Sequence, residues 1–307
     1  MAERKEGAKI EHLNIDLGCD LRCETCEKYL YCDAPEKRLS WERRRMMIAR
    51  EVMKKIKRKV LVIGGKGGVG KSLVTANLAT ALAMRGRKVS VLDQAFDAPV
   101  TCKMLGFTGK RLRVSKEGLI PAEGLLGIQL VSMGLVLEED EVLTWFHEMK
   151  RNATEEFLTH VVYGERDYLI VDVPAGTSSD TVNALEYIPD LDGVVCVTVP
   201  SEVSQGVLRR AIMLCRKTQA KIIGVIENMS GFKCPACGYY EDVLQKGGGE
   251  KLAREEGIPF LGRIPLDPRI AEASDSGVPF VYKYPDIEAS KVMQQVAEAV
   301  EKTLGMA

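Results

Sequence analysis

The stretch that decides the fold is Gly64-Gly65-Lys66-Gly67-Gly68-Val69-Gly70-Lys71-Ser72, which follows an apolar run at 60–63 and precedes a helix-like run at 73–84. Glycines at this spacing let backbone N–H groups turn toward phosphates, and the start of the next helix adds its dipole. Lys71 would neutralise the β and γ phosphates of a nucleotide, and Ser72 would ligate Mg²⁺. Such a stretch can also be only a tight turn, but strand, loop, Lys-Ser and helix in this order predict a nucleotide site.

Further along the chain, apolar strand-like runs alternate with helix-like stretches. The runs that follow the first one are residues 89–92, 128–133, 168–173, 193–199 and 222–226. Strands that are apolar throughout and alternate with helices predict an α/β fold, in which a mostly parallel sheet has helices on both faces. Ligands of such sheets bind beyond the carboxyl ends of the strands. The closing stretch, 285–304, has the pattern of an amphipathic helix.

Two of the strand-like runs carry an acid at the carboxyl end, namely Asp93 and Asp172. A nucleotide site of this kind needs an acid at a neighbouring strand tip to hold Mg²⁺ or its water, and a glycine that senses the γ-phosphate. Asp172 and Gly176 fit those roles, and Asp93 supplies a second carboxylate. Each acid can alternatively cap a helix.

Composition limits both the architecture and the partners. The 307 residues are 46% hydrophobic and 28% charged, which suits one main domain with small additions. The 43 basic and 43 acidic side chains cancel, so nothing global draws the chain to nucleic acid or to an anionic membrane. Residues 1–18 lack the apolar core of an export signal, and no run reaches the length of a membrane span. We therefore expect a cytoplasmic protein.

The chain divides into three predicted segments. Residues 1–34 are a cysteine-rich segment, 35–58 a basic linker helix, and 59–307 the nucleotide-binding domain. Between Glu36 and Lys59, eleven Lys and Arg residues stand against three Glu on a helix-compatible pattern. This pattern favours a solvated helix face over a docking surface for an acidic partner.

Nine cysteines in a chain without an export signal indicate metal or redox chemistry rather than a disulfide framework. Cys234 and Cys237 form a Cys-x2-Cys, a spacing that serves zinc, a redox dithiol and iron-sulfur clusters alike. Two thiolates cannot complete a tetrahedral site, so a metal there needs two more ligands, which a homodimer would supply by symmetry.

A second cysteine group lies near the N-terminus, where four thiolates can close a site within one chain: Cys19, Cys23, Cys26 and Cys32. The other cysteines lie in apolar or helical context and are predicted to pack in the core: Cys102, Cys196 and Cys215. The histidines form no cluster and receive no role: His12, His147 and His160.

Lys66, five residues before Lys71, makes the loop resemble the deviant Walker A motif of the MinD-like ATPases. That group includes the nitrogenase iron protein, partition ATPases and the Mrp-type iron-sulfur carriers. The resemblance covers about residues 59–281. It is closest to the Mrp-type carriers, through Glu227-Asn-Met-Ser-Gly-Phe-Lys-Cys-Pro-Ala-Cys-Gly and Ile264-Pro-Leu-Asp-Pro-Arg-Ile-Ala-Glu-Ala-Ser.

The resemblance implies a homodimer that binds ATP and Mg²⁺, with Lys66 reaching the partner's phosphates. It implies catalytic roles for Lys66, Lys71, Asp93 and Asp172. The implied nucleotide contacts are Gly65, Lys66, Gly67, Gly68, Val69, Gly70, Lys71 and Ser72, with Asn228, Pro265 and Asp267 near the base. It also implies that Cys234 and Cys237 bind a [4Fe-4S] cluster that bridges the two subunits.

The N-terminal cysteines resemble the cluster segment of the eukaryotic-type cytosolic scaffold, although that family's first cysteine lies further upstream than Cys19. The same stretch is similar to the radical-SAM Cys-x3-Cys-x2-Cys, but no barrel follows it. The scaffold likeness implies a [4Fe-4S] cluster held within each chain, and the radical-SAM likeness supports [4Fe-4S] chemistry only.

Three functions remain in view. The first is a cluster carrier whose ATP cycle opens and closes a homodimer and which delivers clusters to an apo recipient protein. The alternative is an ATP-gated electron donor resembling the nitrogenase iron protein. A partition ATPase is the third, and it would leave six cysteines without a role.

The sequence departs from the resembled family around the attacking water. The family carries Asp-x-Asp after its second strand, whereas this chain reads Asp93-Gln94-Ala95-Phe96-Asp97. Trp145-Phe-His-Glu-Met and Pro174-Ala-Gly-Thr-Ser-Ser differ from the family as well. Because the second acid is Ala95, we expect slow ATP hydrolysis, unless Asp97 reaches the water instead.

Overall fold

The computed structural model describes residues 9–10, 15–16, 37–137, 147–234, 237–243 and 245–306, with side chains from residue 45 onward except at 147 and 148. The strands, in chain order, are β1 (Lys9–Ile10), β2 (Ile15–Asp16), β3 (Ile56–Gly64), β4 (Val89–Asp93), β5 (Arg113–Ser115), β6 (Gly118–Ile120), β7 (Ala122–Glu123), β8 (Gln129–Val131), β9 (Arg166–Asp172), β10 (Gly193–Thr198), β11 (Ile222–Lys233), β12 (Tyr240–Glu241) and β13 (Phe260–Leu266).

The helices cover both faces of the main sheet. In chain order they are α1 (Lys37–Met53), α2 (Lys71–Met84), α3 (Thr101–Met104), α4 (His147–Thr159), α5 (Ser179–Tyr187), α6 (Glu202–Lys217), α7 (Gly248–Glu255), α8 (Pro268–Asp275), α9 (Phe280–Lys283) and α10 (Glu288–Thr303). Short 3-10 turns occupy Leu125–Gly127 and Met133–Leu135. None of the helices in the described residues is both long enough and apolar enough to cross a membrane.

The main sheet is almost entirely parallel. Its strands lie in the order β12-β11-β10-β3-β9-β4-β8-β7, and β13 also pairs with β11. Only the short strands β7 and β12 run antiparallel to their neighbours among the described pairs. The predicted α/β fold with a mostly parallel sheet is confirmed. Its carboxyl edge gathers the end of β3, where the glycine loop begins, and the ends of β4 and β9.

Alternation along β3 divides the core into two layers. Val60 and Val62 belong to the layer that packs under α2, α9 and α10, whereas Leu61 and Ile63 belong to the layer under α1 and α4 to α7. Successive strand residues point to opposite faces, so an all-apolar strand requires helices on both sides. The predicted C-terminal amphipathic helix is α10, which packs against α2 and β13.

Two boundaries differ from the sequence prediction. The basic helix α1 ends at Met53, and residues 56–59, expected in or beside that helix, begin β3 because Ile56 and Lys59 enter the sheet beside β9. Part of the positive charge of α1 is neutralised within the chain, because Arg45 forms ion pairs with Glu155 and Glu156 of α4.

The second difference concerns β11, which continues to Lys233 rather than ending near residue 226. Its pairing with β13 shifts register between Asn228 and Phe232. Met229 and Gly231 adopt left-handed backbone conformations there, with φ of 56° and 75°. A bulge of this kind lets one long strand change direction without ending, which a pattern of alternating residues does not reveal.

Candidate nucleotide site and cysteine hairpin

The glycine loop connects the carboxyl end of β3 to the first residue of α2. Gly68 and Gly70 have φ of 77° and 90°, a region that favours glycine. A Cβ at Gly67 or Gly68 would meet no described atom within 4 Å, so there is open space beside these two residues. Among the described side chains none caps α2, whose N-cap is Gly70. The first N–H groups of α2 are therefore available to an anion such as a phosphate.

The loop is held from behind by two contacts. A Cβ at Gly65 would overlap the backbone nitrogen of Leu208 in α6, so only glycine fits there. The backbone N–H of Gly176 donates to the carbonyl oxygen of Gly64 over 3.0 Å. Gly176, which the sequence assigns to γ-phosphate sensing, thus lies directly against the glycine loop.

Asp93 and Asp172 lie side by side at the ends of β4 and β9, in register with each other. Both are buried. Asp172 accepts hydrogen bonds from Thr75 and Thr101 at 3.3 and 3.1 Å. Asp93 accepts from the Ser132 hydroxyl at 3.1 Å and from the Ala95 N–H at 2.9 Å.

Burial sets the charge state of this acid pair. It raises the pKa of Asp93 to about 8, and the neighbouring Asp172 carboxylate adds to the shift. Burial also raises the pKa of Asp172, although hydrogen bonding from Ser72 and the charge of Lys71 act in the opposite direction. Two adjacent buried carboxylates hold their full charge only when a cation compensates them. Hard oxygen ligands in this arrangement suit Mg²⁺.

The two lysines of the loop differ in environment. Lys71 is buried, and burial lowers the pKa of its ammonium group while the charge of Asp172 partly offsets that effect. Lys66 is exposed. Lys71 is therefore placed to act inside the site, whereas Lys66 is free to reach outward. Loop, lysine, hydroxyl and acid pair together fit a Mg-nucleotide.

The residues expected near the base lie on the adjoining strands. The Asn228 side-chain amide donates to the Val69 carbonyl in the glycine loop over 2.9 Å, and Asn228 pairs with Ile264 across β11 and β13. Pro265 is buried beside it. Asp267 accepts from the Arg269 N–H at 2.9 Å and caps α8, and Arg269 holds the pKa of its carboxyl below the ordinary value.

The cysteine pair lies at the tip of a hairpin. Phe232 and Lys233 at the end of β11 pair with the two residues of β12. The Cys234 N–H donates to the Tyr239 carbonyl over 2.8 Å, and the Gly238 N–H donates to the Cys234 carbonyl over 2.9 Å. Cys234 is half-buried and Cys237 is exposed. The two thiols are therefore accessible on a short, hydrogen-bonded turn.

Comparison with known proteins places the fold and the motifs in one family. The ParA model described as NUBPL iron-transfer P-loop NTPase matches residues 55–301. This chain belongs to that family. The iron-sulfur cluster carrier protein of Methanocaldococcus jannaschii is 42% identical over 288 residues, which cover 92% of this chain and 98% of the relative. The human cytosolic Fe-S cluster assembly factor NUBP2 is 39% identical over 247 residues, which cover 78% of this chain and 91% of that protein.

Solved structures agree on the fold. The nucleotide-binding protein of Archaeoglobus fulgidus, determined in complex with ADP, superposes with a TM-score of 0.68 at 34% identity, covering 76% of this chain and 91% of that one. The cell division ATPase MinD of Pyrococcus furiosus superposes with a TM-score of 0.59 at 22% identity, covering 80% and 99%. The MinD likeness bears on the fold alone.

In this NUBPL-type chain, the predicted nucleotide residues lie close together. Of the six cysteines predicted to bind clusters, only Cys234 and Cys237 lie in the described residues. Within the described residues, no group of three or more His, Cys, Asp or Glu side chains could hold a metal ion, so the hairpin offers two thiols. The four N-terminal cysteines predicted to bind a cluster lie outside the described residues: Cys19, Cys23, Cys26 and Cys32.

The remaining cysteines of the NUBPL-type fold are buried as predicted: Cys102, Cys196 and Cys215. Burial raises the pKa of Cys102 and of Cys215 to about 11, and that of Cys196 well above its ordinary value. Protonated thiols in the core are poor metal ligands and poor nucleophiles. The prediction that these three pack in the core is confirmed.

Sequence reasoning missed Lys150 on α4. Its ammonium group donates to Asp97 and lies 3.7 Å from Asp180. Asp97, the acid offered as a substitute for the one missing at Ala95, is exposed and is paired with the half-buried Lys150. Lys150 and Asp97 are 53 residues apart in the sequence, and no periodicity connects them. Trp145 and Phe146, the first two residues of the motif that departs from the family, lie outside the described residues.

Proposed function

We propose that this chain is an ATP-dependent iron-sulfur cluster carrier that holds clusters at the Cys234–Cys237 hairpin and delivers them to apo recipient proteins. The observation that carries the proposal is the position of the hairpin on β11, the same strand whose Asn228 contacts the nucleotide loop. The relatives are named as an iron-sulfur cluster carrier protein and a cytosolic Fe-S cluster assembly factor. The second name supports a cytoplasmic setting for this chain too.

The proposed active form is a homodimer. Each chain offers two accessible thiols at the hairpin, and a four-iron cluster needs four. A second copy related by two-fold symmetry supplies the other two, so the [4Fe-4S] cargo bridges the subunits. Exposed Lys66 has the freedom to contact phosphates bound by the partner. A second [4Fe-4S] cluster per chain is proposed at the N-terminal cysteines.

The nucleotide acts as the proposed gate. The loop amides and Lys71 would hold the phosphates, while Ser72 and the buried acids would hold Mg²⁺, which would supply charge compensation for the β and γ phosphates. Asn228, Pro265 and Asp267 border the base. Asp93 accepts the Ala95 N–H where the resembled family has a second acid, so hydrolysis is proposed to be slow and the bound state long-lived.

The test is cluster transfer. Reconstituted protein is mixed anaerobically with the apo form of a [4Fe-4S] enzyme, and recovered enzyme activity is followed with and without Mg-ATP. The wild type should restore activity at a rate that nucleotide changes. Cys234→Ala and Cys237→Ala should transfer little, whereas Cys215→Ala, which alters a buried thiol, should transfer normally. Hairpin variants that transfer as fast as the wild type would contradict the proposal.

The electron-donor alternative is less well supported, because the relatives are named for carrying and assembling clusters. A redox titration separates the two. A donor cycles its cluster with a reductase and keeps it, whereas a carrier loses the cluster to the apo protein.

A further inference from the structure

Glu227 is a buried carboxylate that the nucleotide chemistry does not use. It lies in β11 between Thr198 of β10 and Arg263 of β13, and it is fully buried. Side chains of this kind are seldom buried unless several partners satisfy them. Its partners therefore indicate what the residue is for.

Three hydrogen-bond donors satisfy the carboxylate of Glu227. Its carboxylate accepts the backbone N–H of Gly247 over 2.9 Å, the backbone N–H of Gly249, and the hydroxyl of Ser230. The Arg263 guanidinium lies 3.4 Å away and balances the charge. Hydrogen bonds to an ionised acceptor in a buried site are among the stronger ones in proteins.

These donors bracket the cysteine hairpin. Ser230 precedes it on β11, and Gly247 and Gly249 follow it at the start of α7. One carboxylate thus ties together both ends of the segment that carries Cys234 and Cys237. Moving this carboxylate would move the base of the hairpin, and the two thiols sit at its tip.

Asn228, the residue after Glu227, faces the nucleotide loop instead of the hairpin. Asn228 donates to the Val69 carbonyl in the nucleotide loop, and a Cβ at Gly70 would collide with the Asn228 amide. The contact is therefore tight, and a phosphate that reshapes the loop must act on Asn228. Directly after it, Met229 has φ of 56°, a strained conformation for a residue other than glycine. Strained backbone between two sites is suited to two alternative arrangements.

We propose that Glu227 is a positioning residue that couples nucleotide binding at the glycine loop to the exposure and spacing of Cys234 and Cys237. Nucleotide binding displaces the Asn228 contact, β11 adjusts at its bulge, and Glu227 carries the adjustment to both ends of the hairpin. The inference rests on the proposed carrier function for its purpose, but the coupling can be measured without any cluster.

The experiment is alkylation of metal-free protein by iodoacetamide, followed by peptide-resolved mass spectrometry. The protein is diluted until light scattering shows that it is monomeric with and without Mg-ATP. In the wild type, Mg-ATP should change the alkylation rate of Cys234 or Cys237 by about 5-fold or more, the lower end of typical coupling between sites. In Glu227→Gln the change should fall below about 2-fold, because the amide keeps the shape but can no longer accept from all three donors.

Matched variants separate coupling from general damage. Glu250→Gln removes the exposed acid that pairs with the same Arg263 and should behave as wild type. Ser230→Ala removes one donor without leaving a buried charge bare and should give an intermediate change, so it keeps the test open if Glu227→Gln does not fold. Each variant should still bind Mg-ATP, with a Kd that differs from the wild-type Kd by no more than the coupling factor that the variant removes.

The outcomes are distinct. Full nucleotide dependence in folded Glu227→Gln and in Ser230→Ala would overturn the inference, as would a wild type that loads and transfers clusters but shows no nucleotide effect on alkylation. Nucleotide-dependent alkylation that Glu227→Gln abolishes, in a chain that transfers no cluster, would support the coupling while removing the carrier function.

Discussion

The nucleotide site and the cysteine hairpin differ in how complete they are within one chain. The first is buried, with Lys71, Asp93 and Asp172 held by neighbouring strands and helices. The second is accessible and offers two thiols. The difference teaches that the proposed nucleotide site is assembled within one chain, whereas a four-iron cluster at the hairpin would need ligands from elsewhere.

The largest effect is expected at Lys71. Lys71→Ala should abolish ATP binding, because backbone amides alone leave the phosphates under-neutralised. Titration calorimetry measures the ATP affinity of this variant. Without nucleotide, the hairpin should keep its thiol reactivity in this variant, because Lys71 lies at the glycine loop, but Mg-ATP should no longer change that reactivity. Retained ATP binding in Lys71→Ala would contradict the assignment of the site.

A large effect on turnover is expected at Ala95. Restoring an acid in Ala95→Asp should raise ATP hydrolysis by roughly 10²-fold or more, since a water-orienting group typically contributes that much. Steady-state ATPase assays on wild type, Ala95→Asp and Asp97→Ala measure it. A fast wild type whose rate collapses in Asp97→Ala would show that Asp97 supplies the missing acid, in spite of its contact with Lys150.

A change at Lys66 tests whether ATP brings two chains together. Lys66→Ala should leave ATP affinity of the monomer nearly unchanged, because this side chain is exposed. It should weaken the ATP-dependent dimer, since a charge that reaches the partner's phosphates is lost. Light scattering with and without Mg-ATP measures the dimer, and an unchanged dimer would remove the cross-subunit role.

The smallest effect concerns pH. The folded-state pKa of Asp93 is raised to about 8 from an ordinary 3.8, so the folded chain binds more protons than the unfolded chain between these values. The stability of the nucleotide-free protein should therefore fall as pH rises through this window, by at most about 1.4 kcal/mol per pH unit from this group. Urea unfolding at several pH values measures the slope. Asp93→Asn should flatten this slope. An equal slope in that variant would mean that another group causes the pH dependence of stability.

The same site should release protons when it fills. Mg²⁺ favours the charged form of the acid pair, so Mg-nucleotide binding near neutral pH should expel protons to the buffer. Calorimetry in buffers of different ionisation enthalpy detects this release. Binding without proton release at pH 7 would mean that Asp93 is already charged in the empty site.

The nucleotide site could be predicted from sequence because its determinants are local. The glycines, Lys71 and Ser72 are consecutive, and Asp93 and Asp172 follow from the rule that strand ends meet at one edge of a parallel sheet. The cysteine pair was also evident from its spacing. Its position at a hairpin tip was not, because β11 crosses a bulge that interrupts the strand pattern.

Glu227 and Lys150 escaped prediction for a related reason. The donors to Glu227 include Gly247 and Gly249, about twenty residues further along the chain, and no periodicity connects them. Lys150 meets Asp97 because α4 packs on the loop that follows β4, where Phe157 contacts Phe96. Contacts between distant segments depend on packing, which a single sequence encodes only indirectly.

The most direct test of the account is iron and acid-labile sulfide per chain after anaerobic purification, with electron paramagnetic resonance. Cys234→Ala and Cys237→Ala should each lose about two iron atoms per chain, half of a shared four-iron cluster, and keep the iron bound at the N-terminal cysteines. Variants that retain the full iron content, or a wild type that holds zinc at the hairpin, would contradict the claim that two chains share a cluster there.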